Sequence, residues 1–237
     1  MIATAARVLR QLRHDPRTIA MIFALPCLLL ALLWWVYDGG AIFDRIGPAL
    51  LALFPLVVMF LVTSITVLRE RRGGTLERLL TLPLSKGAFI GGYALAFGAL
   101  AVVQALAASA LLLGPLGVSP AGPAWMLVLI AVADALLGTA LGLFVSAFAR
   151  TEFQAIQFFP AIVLPQFLLC GLLVARDDLP GVLHALSSLL PLSYAVDAMN
   201  EVSAASDPAI WAPLGVVAGF TVGMLALGAA TLRRRTP

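Results

Sequence analysis

The side chains that could do chemistry are few, and the first set to consider is His184 with Ser187 and Ser188. The serines follow the histidine by three and four residues, so either hydroxyl can reach the imidazole on one face of a helix. Nucleophilic catalysis also needs an acid that orients the histidine, and the same segment supplies none nearby. No G-x-S-x-G turn is present in the sequence either. We therefore interpret these three residues as structural.

Metal and nucleotide chemistry have equally little support. Cys27 and Cys170 each stand alone in an apolar run, without a second cysteine or a histidine at metal-ligand spacing. Gly73-Gly74 is not followed by the lysine of a phosphate-binding loop, and Lys86-Gly87 lacks the preceding glycine pattern. The sequence predicts no metal site, no cofactor on this chain and no enzymatic activity of its own.

A further set of polar side chains lies inside long apolar runs. Asp134 is the one ionisable residue deep in such a run, where a charge costs about 2.5–3.5 kcal/mol at the centre of a membrane helix. It must therefore be protonated, paired or in contact with water, and a carboxyl group hydrogen-bonded to a neighbouring helix is the interpretation we favour. Thr63, Gln157 and Gln166 also place hydroxyl or amide groups within apolar runs.

The composition of the chain is that of a membrane protein. Of its 237 residues, 62% are hydrophobic, whereas a soluble domain has about 45–50% apolar residues. Six runs are long enough to cross a hydrocarbon core of about 30 Å as helices. We predict an all-α polytopic fold, a single domain over 1–237. Its spans are expected at about 18–37, 46–68, 87–113, 124–148, 153–175 and 208–232.

Two shorter segments complete the predicted fold. In residues 1–17, the apolar side chains recur at helical spacing and the arginines fall elsewhere on the wheel, which predicts an amphipathic helix in the membrane interface. The apolar positions are Ile2, Ala5, Leu9 and Leu12. Residues 177–206 contain an apolar run that Pro191 divides into two pieces, each too short to cross the membrane. We predict an outer re-entrant helical hairpin there.

The basic residues decide the orientation. With six spans and both termini in the cytoplasm, thirteen of the fifteen lysines and arginines lie inside, and only Arg45 and Arg176 lie outside. A seventh span at 179–196 would leave ten against five, so the positive-inside rule favours six spans. The basic pI of 9.3 follows from this topology, and we do not predict nucleic-acid binding. Arginine outnumbers lysine fourteen to one, which suggests a bacterial genome and hence a bacterial plasma membrane.

The longest charged interruption, residues 69–86, separates spans 2 and 3 and reads RERRGGTLERLLTLPLSK. Thr75 is suited to cap a helix, and Glu77 in its first turn favours the helix dipole. Leu76, Leu79 and Leu80 form one apolar stripe, and Pro83 ends the helix. About two turns are too short to be stable alone. The stripe is therefore expected to pack on lipid head groups or in a groove of a cytoplasmic partner.

The run from Leu68 to Lys86 resembles the signature of ABC type-2 transporter permeases, in which R-E-R-x-x-G-T-L-E-x-L-L-x-x-P-L-S links the second and third spans. Arg17, Pro26 and the sequence PLSYAVD over 191–197 agree with the same family. The chain departs from the pattern at Gly92, where many members have lysine.

The resemblance implies six helices per subunit, a second permease subunit that is identical or homologous, and two separate ATPase subunits that bind ATP and Mg. It also implies that residues about 70–82 form the coupling helix that docks on the ATPase. The docking residues would be Glu70, Arg71, Thr75, Leu76, Glu77, Arg78, Leu79, Leu80 and Pro83. The family places its translocation path between the second and fifth spans, so Thr63, Gln157 and Gln166, together with Asp134, are candidates to line it.

The function implied by the resemblance is export of a hydrophobic drug, antibiotic or lipid-like substrate. Export of glycans or ions by a permease of the same family is the first alternative. An ion-coupled secondary transporter is the second, although it would need intramembrane coupling charges and the spans hold only Asp134.

Overall fold

The computed structural model describes residues 1–72 and 86–231, and these residues form helices and connecting turns without a β-strand. The α-helices of the described residues are α1 (Ile2–Arg13), α2 (Pro16–Val36), α3 (Ala41–Arg72), α4 (Lys86–Leu113), α5 (Ala124–Ser146), α6 (Glu152–Leu169), α7 (Gly181–Ser187), α8 (Pro191–Ala204) and α9 (Trp211–Thr231). A short 3₁₀ turn covers Arg176–Asp178. The all-α fold is confirmed.

Six of these helices are long and apolar enough to cross a membrane, namely α2, α3, α4, α5, α6 and α9. They correspond one to one with the six predicted spans. The chain is therefore a multi-pass membrane protein.

The helix that contains the second predicted span begins earlier than the span predicted at 46–68. We expected a polar loop to reach Arg45, but α3 already begins at Ala41. The turn before it is tight because Asp38 and Gly39 adopt positive φ angles of 52° and 59°. Asp44 then lies in the first helical turn, where its carboxylate interacts favourably with the helix dipole.

The helix of the fifth predicted span ends at Leu169, before the predicted limit at residue 175. Gly171 has a φ of +94°, a conformation that glycine adopts without steric cost, and the chain bends there after α6. The two prolines inside α6 do not end it.

Helices α3 and α5 form the centre of the bundle. Buried positions make up 72% of the apolar window of α3 and 67% of that of α5, against 17%, 17% and 11% for α2, α6 and α9. The two central helices approach closely because Gly138 and Gly142 of α5 have no side chain. A Cβ atom on Gly138 would lie 2.8 Å from Leu56 Cα, and one on Gly142 would lie 2.6 Å from the Phe60 carbonyl oxygen.

The amphipathic helix α1 is confirmed as a helix, and one of its faces packs against protein, while its position in the membrane interface stays a prediction. Its buried residues are Thr4, Ala5, Val8 and Leu12, whereas Ile2 is 82% exposed and Leu9 is 36% exposed. The helix lies against α4 at Gly92, where a Cβ atom would come within 2.6 Å of Thr4 Cβ. The glycine that departs from the family pattern is therefore needed for this contact.

Helices α7 and α8 are inclined at 92° to each other, and α8 begins at Pro191 as the sequence predicted. Proline suits this first helical position because the backbone N–H that it lacks would have no helical partner there. The re-entry of the pair into the membrane stays a prediction.

Candidate docking end and transport path

The end of α3 leads into the predicted coupling helix, and most of that helix lies outside the described residues. This applies to Thr75, Leu76, Glu77, Arg78, Leu79, Leu80 and Pro83. Glu70 and Arg71 are described, so the base from which the coupling segment leaves the membrane helices can be examined directly.

Glu70 is bound within the chain. Its side chain is 7% exposed, and its carboxylate forms an ion pair with Arg7 of α1, with 3.1 Å between Nη2 and Oε2. The same Arg7 nitrogen donates a hydrogen bond of 2.8 Å to the hydroxyl of Tyr93, which is fully buried on α4. We name Arg7, Glu70 and Tyr93 the clasp. It joins α1 to the residues that precede and follow the coupling segment.

The two neighbouring arginines fix the end of α3 to two further helices. Arg71 donates to the backbone carbonyl of Ser146, the last residue of α5, where the unpaired carbonyls of a helix end attract a cation. Arg69 makes two hydrogen bonds of 2.8 Å to the carboxylate of Glu152 at the start of α6. Both partners of the Arg69 pair are largely exposed, so it contributes little stability by itself.

Asp15 is the N-cap residue of α2 and lies at this same end of the bundle. Its carboxylate accepts hydrogen bonds from the Thr18 hydroxyl at 2.6 Å and from the Thr18 backbone N–H at 3.2 Å. These hydrogen bonds favour the charged carboxylate and lower the pKa of Asp15 below its ordinary value of 3.8.

Asp134 and Thr63, two of the predicted path residues, are fully buried but lie apart. Neither carboxylate oxygen of Asp134 nor the Thr63 hydroxyl has a hydrogen-bond partner among the described residues. Thr63 lies opposite Gly142, and Asp134 precedes Gly142 by eight residues, or about 12 Å along α5. The hydrogen bond to a neighbouring helix that we favoured for Asp134 is absent in the described part of the chain.

The two predicted glutamines of α6 have different environments. Gln166 is buried, donates from Nε2 to the Ile162 carbonyl at 3.1 Å and accepts at Oε1 from the Leu192 backbone N–H at 3.4 Å. Leu192 lies in the first turn of α8, so Gln166 joins the fifth span to the outer helices. Gln157 is exposed on the surface of α6. The four candidates thus do not meet at one point, and a role in lining the path stays a prediction.

Arg176 organises the opposite end of the bundle. Its Nε donates to Ser187 Oγ at 2.6 Å, its Nη2 donates to Ser188 Oγ at 3.1 Å, and its Nη1 pairs with the carboxylate of Asp197. The guanidinium also lies over the ring of Tyr194, 5.5 Å from the centroid. We name Arg176, Ser187, Ser188, Tyr194 and Asp197 the outer clamp.

The outer clamp gives both serines a structural role. Ser188 Oγ accepts from Arg176 and donates to the His184 backbone carbonyl at 3.0 Å, so its hydrogen bond is to the histidine main chain and not to the imidazole. Burial raises the pKa of Asp197 and outweighs the opposing attraction of Arg176.

The sequence analysis did not identify Arg7, Tyr93 or Arg176 as residues that hold helices together. Arg7 lies 63 positions from Glu70 and 86 from Tyr93, and Arg176 lies 21 positions from Asp197, so no local pattern pairs them.

The fold, the six membrane helices and the charged end of α3 define a polytopic helical membrane protein, and a comparison with protein families assigns its class. Residues 1–202 match the family described as ABC-2 type transporter. The chain belongs to this family.

Several relatives carry names that agree with this class. The probable multidrug ABC transporter permease YbhS of Escherichia coli is 25% identical over 175 residues, which cover 73% of this chain and 46% of YbhS. The linearmycin resistance permease protein LnrN of Bacillus subtilis is 27% identical over 173 residues, 71% of this chain and 44% of LnrN. ABC transporter G family member 20 of Dictyostelium discoideum is 26% identical over 159 residues, 67% of this chain and 22% of that protein. The chain spans less than half the length of these relatives.

Proposed function

We propose that this chain is the permease subunit of an ATP-driven ABC exporter in a bacterial plasma membrane, with both termini in the cytoplasm. The observation that carries the proposal is the family match over residues 1–202. The clasp and the Arg71 contact support it, because they hold the membrane helices rigidly at the point where the coupling segment leaves them. ATP and Mg would bind to the partner ATPase subunits.

The complex contains two ATPase subunits and a second permease, identical or homologous to this chain. The docking surface is the coupling segment, with Leu76, Leu79 and Leu80 as its apolar stripe and Glu77 and Arg78 at its rim. The clasp holds Glu70, and Arg71 binds the end of α5, so these two residues position the segment in addition to any contact with the ATPase.

ATP-driven closure of the ATPase subunits would push the coupling segment and move the spans as rigid bodies. The end of α3 is bonded to α1, α5 and α6 through Arg7, Ser146 and Glu152. A force on the segment therefore acts on several helices together and not on α3 alone.

The substrate class we propose is a hydrophobic drug, antibiotic or lipid-like molecule. Two relatives are named for multidrug transport and for linearmycin resistance, and this supports the class for the present chain. Export of a glycan or an ion by the same architecture remains the alternative substrate class. Ion-coupled secondary transport has less support, because Asp134 lacks a second charged partner in the described residues.

The test is purification of the tagged protein from its native membrane in mild detergent, with mass spectrometry of the proteins that follow it. We expect an ABC ATPase to copurify with the wild type and with Leu189→Glu, a matched change at a 68% exposed leucine of the opposite end. Leu79→Glu should lose the ATPase. Retention of the ATPase by Leu79→Glu would move the docking site elsewhere, and absence of any ATPase from all preparations would refute the permease assignment.

A further inference from the structure

A large cavity opens at the end of the bundle opposite the clasp. Its volume is about 1100 Å³, and its walls come from five separate parts of the chain. These are the first turns of α3 at 41–49, the α4–α5 turn at 118–120, the segment 171–177 after α6, His184 of α7, and α8 at 197–204. The volume lies just above the range of typical small-molecule sites, about 300–1000 Å³, so the cavity can hold an organic molecule of drug size.

The lining of this outer cavity is amphipathic. Its apolar surface comes from Ile46, Ala49, Val118 and Leu172. Ala49 and Val118 are both buried. Charged and polar side chains line it as well, including Asp44, Arg45, Asp177, Asp197 and Asn200. An apolar wall combined with a few polar groups is the usual construction of a site for an organic molecule.

The charged side chains of the lining that form no ion pair have a negative net charge. Arg176 is 13% exposed and already neutralised by Asp197, so it offers little positive charge to a ligand. Asp44 and Asp177 are exposed, and no ion pair in the described residues involves either one. Arg45 is the one other arginine or lysine in the lining, and His184 is the remaining basic side chain there. Two free carboxylates against one free guanidinium favour a cationic ligand over an anionic one.

An organic cation fits the lining better than a metal ion. Within residues 1–72 and 86–231, no group of three or more histidine, cysteine, aspartate or glutamate side chains could hold a metal. A bare metal ion would also make no hydrophobic contact with the apolar wall, whereas a hydrophobic cation can bury its apolar part against Ile46 and Leu172.

We propose that the outer cavity binds an amphipathic organic cation, with its apolar body against Ile46 and Leu172 and its charge near Asp44 and Asp177. The inference rests on the proposed export function and specifies a chemical class of substrate at its release side. Because Asp44 and Asp177 lie on two separate segments, the site depends on the position of α3 relative to the chain after α6.

Binding of tetraphenylphosphonium to the purified full-length protein in detergent, measured by equilibrium dialysis, tests the proposal. Loss of one exposed ion pair should weaken binding by up to about fivefold, so we expect this loss for Asp177→Asn and a larger one for Asp44→Asn with Asp177→Asn. Asp178→Asn removes the same charge from the next residue, which does not line the cavity, and should bind as the wild type does. All variants should elute at the same volume in size-exclusion chromatography.

Tetraphenylborate has the same shape and the opposite charge, and serves as the matched ligand. It should bind the wild type more weakly than the cation and should gain affinity in the double variant. Equal weakening by Asp177→Asn and Asp178→Asn, or tighter binding of the anion to the wild type, would overturn the proposal. An ATPase that copurifies with a protein showing either result would leave the permease assignment intact, so the two failures are distinguishable.

Discussion

Substitution of Gly138 by alanine should separate the two central helices and destabilise the protein. The added Cβ atom would lie 2.8 Å from Leu56 Cα and 2.9 Å from its carbonyl carbon. Both are backbone atoms that cannot rotate away, and the Leu56 carbonyl oxygen is closer still, so α3 and α5 must move apart by at least about 0.6 Å to reach an ordinary contact distance. Such overpacking typically costs about 1–3 kcal/mol.

The higher helix propensity of alanine offsets up to about 1 kcal/mol of this cost. Because backbone atoms must move, we expect the upper part of the overpacking range, about 2–3 kcal/mol, which leaves a net cost of about 1–2 kcal/mol. For a chain of this size each kcal/mol corresponds to about 2–4 °C, so we expect Tm to fall by roughly 2–8 °C. Thermal unfolding of the purified protein in detergent, followed by fluorescence-detected size-exclusion chromatography, measures the shift.

The control is Gly219→Ala on α9, where a Cβ atom would find nothing within 4 Å. It makes the same chemical change in an apolar helix, and we expect an unchanged or slightly raised Tm. If Gly138→Ala and Gly219→Ala shift Tm equally, the close contact of α3 with α5 does not contribute to stability and the reasoning is refuted.

Two further predictions concern the end of the bundle that holds the clasp. Arg7→Ala leaves the buried Glu70 carboxylate without its ion pair and should cost about 1–3 kcal/mol in thermal unfolding, whereas Arg10→Ala on the exposed side of α1 should cost little; equal effects would contradict the clasp. The lowered pKa of Asp15 means that its contribution to stability is complete above about pH 4 and is lost as pH falls through the folded-state pKa. Asp15→Asn keeps a capping oxygen and should remove this acid dependence of Tm, so an unchanged dependence would contradict the assignment.

The membrane helices could be predicted from the sequence because each needs a long run without charge, and such runs are rare outside a membrane. Their ends were less predictable where a helix continues into water. Helix α3 continues to Arg72 because Arg69 and Arg71 find partners on α6 and α5. A prediction from hydropathy ends a span at the first charged residue, because it contains no information on the ion pairs and hydrogen bonds that extend the helix.

The arrangement of the spans could not be predicted because they are apolar on all sides, so their sequences do not mark an inner face. The spacing of Gly138 and Gly142 matches a known helix-packing motif. Gly215, Gly219 and Gly223 have the same spacing, yet a Cβ atom on any of them would contact nothing within 4 Å. The motif alone therefore does not identify the central pair.

The ion pair of Arg7 with Glu70 had no sequence signal, since 63 positions separate the two residues. The interpretation of α1 as a helix with its arginines toward lipid head groups treated Arg7 like its neighbours. A single sequence records which residues are charged, but only the packing of α1 on α4 brings this arginine to the glutamate. Asp134 and Thr63 were both candidates for the transport path because each is a polar residue in an apolar run. In the structure, Thr63 of α3 lies opposite Gly142, eight residues from Asp134 on α5.

Helix α3 is the element that physically joins the docking end to the outer cavity. Its 32 residues correspond to about 48 Å, with the clasp at one end and the cavity wall at the other. The half from Leu56 onward is held against α5 by Gly138 and Gly142. Pro48 and Pro55 leave two carbonyl groups without helical partners, so bending is easiest in the half that forms the cavity wall. A displacement at the clasp end would thus move α3 and α5 together and change the cavity at the proline-containing half.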